Sequence, residues 1–149
     1  MSLSLLDKFE APSGHFRLEV RRSGVLIDVF EENNLIVDGS KQTHARLIGG
    51  DVASRSVTQI SFGTSLTAPV VGNTTITAPF TKAIDSVTYP ATNQVRFSFS
   101  LGTAESNGKA IGEFGLLTAG GVLYARKTRT AALNKESDIT LSGTWTITF

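Results

Sequence analysis

Along most of this chain apolar residues recur at every second position, the period at which strand side chains point to one face of a sheet. In QVRFSFSLG, residues 94 to 102, Val95, Phe97, Phe99 and Leu101 fall on one side and Arg96, Ser98 and Ser100 on the other. That is the pattern of an antiparallel strand with one buried face. In ITLSGTWTITF, residues 139 to 149, Ile139, Leu141, Trp145, Ile147 and Phe149 share a face, which predicts a last strand inside the core. FRLEVRRSGVLIDVFEE, residues 16 to 32, alternates on both sides of Ser23-Gly24, a two-residue turn whose glycine accepts positive φ. Counting outward from that turn pairs Arg21 with Leu26, Val20 with Ile27, Glu19 with Asp28, Leu18 with Val29 and Arg17 with Phe30. VTQISFG and FTKAIDSVTY, rich in β-branched and aromatic residues, read as further strands.

One stretch has helical spacing. In VDGSKQTHARLIGGD, residues 37 to 51, Asp38 or Ser40 can cap the start, and Gly49-Gly50 suits a left-handed stop. His44, Leu47 and Ile48 then form a stripe to pack on a sheet, with His44 as a hydrogen-bonded core histidine. Loops are expected at residues 64 to 79, 89 to 93, 103 to 109 and 128 to 138. The first and last are long for a compact domain, and long loops on a β scaffold are where binding usually sits. The fold class expected is mainly β: an antiparallel β-sandwich of about seven or eight strands, with one short α-helix over an end or an open edge. Residues 1–14 form an N-terminal arm and residues 15–149 a single β-sandwich domain.

The arm carries Leu3, Leu5, Leu6 and Phe9 before Ala11-Pro12-Ser13-Gly14. It is either a frayed terminus or a segment that docks on a neighbouring subunit, since four large apolar groups are costly to leave in water.

IGEFGLLTAGGVLYARKT, residues 111 to 128, plants two charges in an apolar hairpin. A two-residue loop places Phe114, Leu116, Leu123 and Ala125 on one face. Glu113, Gly115, Leu117, Tyr124 and Arg126 take the other. Glu113 and Arg126 are then a structural ion pair, exposed or half-exposed and worth under about 1 kcal/mol, whereas a three-residue loop with a bulge would separate them. Because Leu117 and Tyr124 make this second face partly apolar, another sheet or another chain should cover it. These two residues join Leu3, Leu5, Leu6 and Phe9 as the candidate protein interface.

Composition narrows the chemistry. The 149 residues balance 14 basic against 13 acidic side chains, a net charge of +1, so there is no electrostatic case for nucleic acid. Charged residues make up 18% against a usual value of about 25%, a surface rich in Ser and Thr of the kind that ends against other subunits. Arg126, Lys127, Arg129 and Lys135 read as a solvated edge. With zero cysteines and only His15 and His44, a zinc site would need both histidines and a carboxylate to meet by tertiary chance. GTAESNGKA, residues 102 to 110, has one residue too many between its glycines for a phosphate loop and Ala110 where a hydroxyl must hold magnesium. No GxSxG occurs. Catalytic, cofactor-binding and metal residues are therefore assigned to none, and the chain is expected not to be an enzyme. MSLSLLDKF lacks a basic leader and breaks at Asp7, so synthesis in the cytoplasm without export or membrane insertion is expected.

The run Ile111-Gly112-Glu113-Phe114-Gly115-Leu116, followed by Ala119-Gly120-Gly121-Val122-Leu123-Tyr124-Ala125-Arg126, resembles the "I-x-E-x-G-L, acidic-or-Gly-Gly, x-L-x-A" signature of small β-rich proteins of tailed bacteriophages, associated with baseplates, tail fibres and fibre attachment. NLIVDGSKQTHARLIGGD (34 to 51), ISFGTSLTAP (60 to 69) and DITLSGTWTITF (138 to 149) are similar to the same group, in which a short helix and an FGTG-like loop follow the first hairpin. The likeness spans roughly residues 25 to 149. It departs at Ser65, where a glycine often follows the FGT, and at Gly120, where an aspartate is usual. The resemblance implies no catalytic residues. It implies a virion structural protein of the tail or baseplate, a homo-oligomer that braces or attaches tail fibres by contact with other tail or baseplate proteins. The alternatives are a host-glycan-binding module, stacking sugars on Tyr89, Tyr124 or Trp145, and a capsid decoration protein.

Overall fold

Nine strands and one helix form among the described residues, 11–149 of a computed structural model. In chain order they are β1 (Ser13–Arg22), β2 (Val25–Ile36), α1 (Gly39–Ile48), β3 (Val57–Gly63), β4 (Phe80–Ala83), β5 (Ser86–Thr88), β6 (Gln94–Leu101), β7 (Ala110–Thr118), β8 (Leu123–Asn134) and β9 (Ile139–Thr148). The strands hydrogen-bond as one antiparallel sheet in the order β4-β3-β7-β8-β2-β1-β9-β6-β5. The sheet curls into a half-barrel. Leu3, Leu5, Leu6 and Phe9 of the expected arm lie outside the described residues, and β1 already begins at Ser13.

This corrects the expected sandwich of seven or eight strands in two ways. The segment FTKAIDSVTY is two strands rather than one. Ile84 N still donates to Thr58 O of β3 (2.9 Å), but Asp85 N donates to Ser98 O of β6 (2.8 Å), so the chain crosses there from one end strand of the sheet to the other. The two halves are also continuous, because β2 serves both. It pairs with β1 from Val25 to Asn34, then turns Leu35 and Ile36 onto Arg126 and Ala125 of β8.

Alternation supplies the core, as read from β6 and β9. Phe16, Leu18, Phe62, Phe99, Leu101, Phe114, Leu116, Leu141, Trp145 and Ile147 converge from both halves of the curl and are buried. The Phe16 ring lies 4.7 Å from Phe114 and 5.7 Å from Phe99, and Phe62 is 6.2 Å from Phe99, within the range of favourable aromatic pairing. Phe149, expected in this core, is 54% exposed at the end of β9.

The first hairpin keeps its predicted turn but not its register. Arg21 faces Leu26 as expected; a bulge then takes up Ile27, so that Val20 faces Asp28, Leu18 faces Phe30 and Arg17 faces Glu31. The expected pairing of Glu19 with Asp28 is replaced by Glu19 opposite Val29. Glu19 instead sits between Arg17 (3.0 Å) and Arg21 (2.8 Å).

The helix turns a different stripe inward. Ser40 and Thr43 are buried, while Ile48 is 89% exposed. The backbone of α1 starts so close to β8 that a Cβ at Gly39 would stand 2.4 Å from the Leu123 carbonyl oxygen. Only short side chains fit that approach. Asp38 occupies the cap position without a side-chain cap bond, its carboxylate reaching Lys41 at 3.0 Å. Gly50, at φ +87°, follows the helix in the left-handed region.

Candidate functional site

The charged pair in the β7–β8 hairpin is a buried clip. The hairpin loop spans three residues, Ala119 to Gly121, with Gly121 at φ +85° and both Gly121 N to Thr118 O and Thr118 N to Val122 O bonds at 2.9 Å. A bulge between Leu116 and Leu117 puts Glu113 opposite Thr128 and Arg126 opposite Gly115. The long side chains still meet on the diagonal, which corrects the expectation that such a loop separates them. Arg126 Nη2 donates to Glu113 Oε2 at 2.6 Å, with the side chains 5% and 1% exposed, so the pair is not a surface one.

Its cover is the 64–79 loop of the same chain. Thr77 N donates to the second Glu113 oxygen (2.5 Å), and Arg126 Nη1 donates to Asn73 Oδ1 (3.1 Å). Asn73 Oδ1 also accepts from Val70 N (2.9 Å), and Val71 O accepts from Asp38 N (2.8 Å). Three sheet glycines clear the track. A Cβ at Gly63 would meet Ile76 Cγ2 at 2.4 Å, one at Gly112 would meet Ser65 O at 2.9 Å, and one at Gly115 would meet Ile76 Cδ1 at 2.8 Å. Ile76 packs with Leu117, Leu123 and Val37 as a second small core. The long loop predicted as a binding loop is therefore strapped to the sheet.

The candidate interface residues separate accordingly. Leu117 is half-buried under Ile76, and Tyr124 is buried on the inner side, its place on the outer face taken by Leu123 through the bulge. The Tyr124 hydroxyl and His44 Nε2 share a 2.8 Å hydrogen bond. Burial lowers the His44 pKa and raises that of Tyr124, so both groups are neutral in the folded protein near pH 7. His44 is the hydrogen-bonded histidine that its position predicts, although it is only partly buried. The unfolded chain takes up a proton near pH 6.5, where the folded protein does not. Stability from this pair is thus fully present above that pH and falls as pH drops through 6.5 toward the lower folded value. The melting temperature should fall between pH 7 and pH 5, and His44→Gln should flatten that part of the profile. An unchanged slope in the variant would show that other groups carry it.

Apolar surface is exposed at opposite ends of the half-barrel. At one end, where β3 and β6 begin and β9 finishes, α1 covers part of the opening. Adjoining cavities of about 160, 490 and 400 Å³ occupy it. Val57, Val87, Val95, Phe97 and Phe149 supply their apolar walls, and Tyr89, 76% exposed, stands at the rim.

At the other end is the tip of the β1–β2 hairpin. Val25, Leu26, Ile27 and Val29 are all 41% or more exposed. Only Leu35 and Ile36 of β2 pair with β8, so the β2 edge from Val25 to Asn34 faces no backbone partner among the described residues. Side chains span the gap. Lys127 reaches Glu32 (2.5 Å), Arg129 reaches Asp28 (3.4 Å), and both cations lie over the Phe30 ring at 5.4 and 5.3 Å.

The predicted basic edge is thereby divided. Arg126 and Lys135 are buried, and only Lys127 and Arg129 serve the β2–β8 gap. Lys135 Nζ donates to Asn107 Oδ1 (2.9 Å) and Glu136 O (3.0 Å), tying the 102–109 and 135–138 turns together. Burial lowers its pKa, with Glu105 and Asp138 acting in the opposite sense. The sequence puts Lys135 on a solvated edge, and no spacing signals its burial, which depends on two turns meeting.

No family model, curated protein or solved structure matches this chain. Among the described residues no helix is long and apolar enough to cross a membrane.

Proposed function

We propose that this protein is a non-enzymatic structural component of a bacteriophage virion, made in the host cytoplasm and placed in the tail or baseplate, where it braces or attaches tail fibres. The observation that carries the reading is the exposed apolar tip of β2. Four large aliphatic groups in five positions, beside an unpaired strand edge, form a surface that favours burial against another polypeptide. The resemblance of the β7–β8 hairpin to phage tail and baseplate proteins supports the location. On this reading the exposed tip of β2, from Val25 to Ile27, packs against a neighbouring tail protein or a second copy, and apolar burial holds the joint.

Immunogold labelling of particles purified from the source of the sequence tests the placement. Gold at the tail end is expected; gold over the head would favour a decoration protein, and unlabelled particles would overturn the virion reading. In parallel, Leu26→Glu with Ile27→Lys should abolish incorporation into particles while leaving the melting temperature within a few degrees of wild type. The glycan alternative now rests on Tyr89, since Tyr124 and Trp145 are buried. A glycan array that gives hits lost in Tyr89→Ala would favour it.

A further inference from the structure

We propose, building on the reading of the β2 tip as the contact surface, that Val25, Leu26 and Ile27 of one copy seat in the apolar groove at the open end of a second copy, so that the chains join head to tail. The groove is walled by Val57, Val87, Val95, Phe97 and Phe149, and each of the three tip residues is 47% or more exposed. The two surfaces cannot meet within one chain. Arg22, opposite Val25, ends β1, whereas Ser13 at its start pairs with Thr148, next to Phe149 of the groove. The ten residues of β1 hold tip and groove about 30 Å apart.

Size and charge both match. A cavity of roughly 150 Å³ takes one benzene-sized group, so the groove's cavity of about 490 Å³ has room for the three aliphatic side chains. Its polar rim is uncharged at Ser56, Thr58 and Gln94, and Arg55, on the α1 side, is held by Asp51 at 3.0 Å. At the tip, Arg22 is held by Asp138 at 2.7 Å and Asp28 by Arg129 at 3.4 Å. Neutral tip meets neutral rim, and docking strips water from no unpaired charge among these residues. Because tip and groove are different surfaces, the contact is heterologous: each copy that gives a tip still offers a groove, and the series closes into a ring or continues. Three side chains bury less than the roughly 1,200 Å² of a standard stable pair, so a single joint is weak and its strength comes from repetition.

The chain has no cysteine, so one thiol can be placed at will. A spin label on Ser23→Cys, in the exposed turn before the tip, leaves the apolar side chains intact. In a concentrated equal mixture of isotope-labelled wild-type protein with spin-labelled, isotope-free protein, the amide signals of Val87, Tyr89, Val95 and Phe149 should broaden. Val87→Glu in the isotope-labelled copy, or Leu26→Glu with Ile27→Lys in the spin-labelled one, should restore them. Broadening of Val25, Leu26 and Ile27 instead would mean that tip packs on tip, and would overturn the proposal. Signals sharp throughout would overturn it as well, giving the tip to a different protein, and the virion reading would then rest on the particle labelling alone.

Discussion

Arg126→Ala is expected to destabilise the protein by about 3–5 kcal/mol, the range for breaking a buried ion pair and leaving its partner charge uncompensated. The expectation follows from burial, since Glu113 is 1% and Arg126 5% exposed at the side chain. An exposed pair would lose under about 1 kcal/mol. More than the pair is lost, because Asn73 gives up its guanidinium donor and the 64–79 loop one of its fastenings. Glu113→Gln keeps the bond from Thr77 N but strands the buried Arg126 charge and faces it with an amide donor, so it should also cost about 3–5 kcal/mol. Replacing both charges by leucine and methionine avoids the lone buried charge, though it orphans Thr77 N–H, so it should cost less than either single change. Urea unfolding measures all three variants. Limited proteolysis should show new cleavage between Thr64 and Pro79 in Arg126→Ala. A loss below about 1 kcal/mol with no new cleavage would mean that the loop does not depend on the clip.

Strand alternation was legible wherever one face is buried. It located β6 and β9, the Ser23-Gly24 turn and the core positions from Val95 to Leu101. Two bulges escaped it. Ile27 and Val29 are both apolar, so inserting one residue leaves the pattern intact while moving Asp28 from Glu19 to Val20. In the second hairpin, Leu123 and Tyr124 suit either face, and the bulge exchanged them. Composition misleads at the helix, since its largest apolar residues, Leu47 and Ile48, suggest the stripe that faces the sheet. The close approach at Gly39 admits Ser40 and Thr43 instead. The burial of Glu113 and Arg126 was not readable from the hairpin, because the covering loop lies about forty residues earlier. Gly63, Gly112 and Gly115 were a trace of it: strands give up packing at a glycine unless another backbone comes close. The nine-strand count hinged on Ile84-Asp85, where extended chain simply changes partners with no glycine or proline to mark the crossing.

Trp145→Ala should also cost about 3–5 kcal/mol, as large-to-small changes of buried aromatics do. Trp145 sits on the interior strand β9, opposite Phe16 on one side and Phe97 on the other, and its ring meets Phe16 edge to face at 5.0 Å. Removing it would empty the point where β1, β6 and β9 hold one another, and the core it leaves has no exposed flank from which water could support it. The more telling variant is Trp145→Phe. The indole nitrogen is buried without a hydrogen-bond partner, and an unmet buried donor costs about 1–3 kcal/mol. Phenylalanine gives up some volume but also removes that donor. The two effects oppose each other, so Trp145→Phe should lose less than half of what Trp145→Ala loses in urea unfolding. Equal losses would mean that the N–H is satisfied in the folded protein.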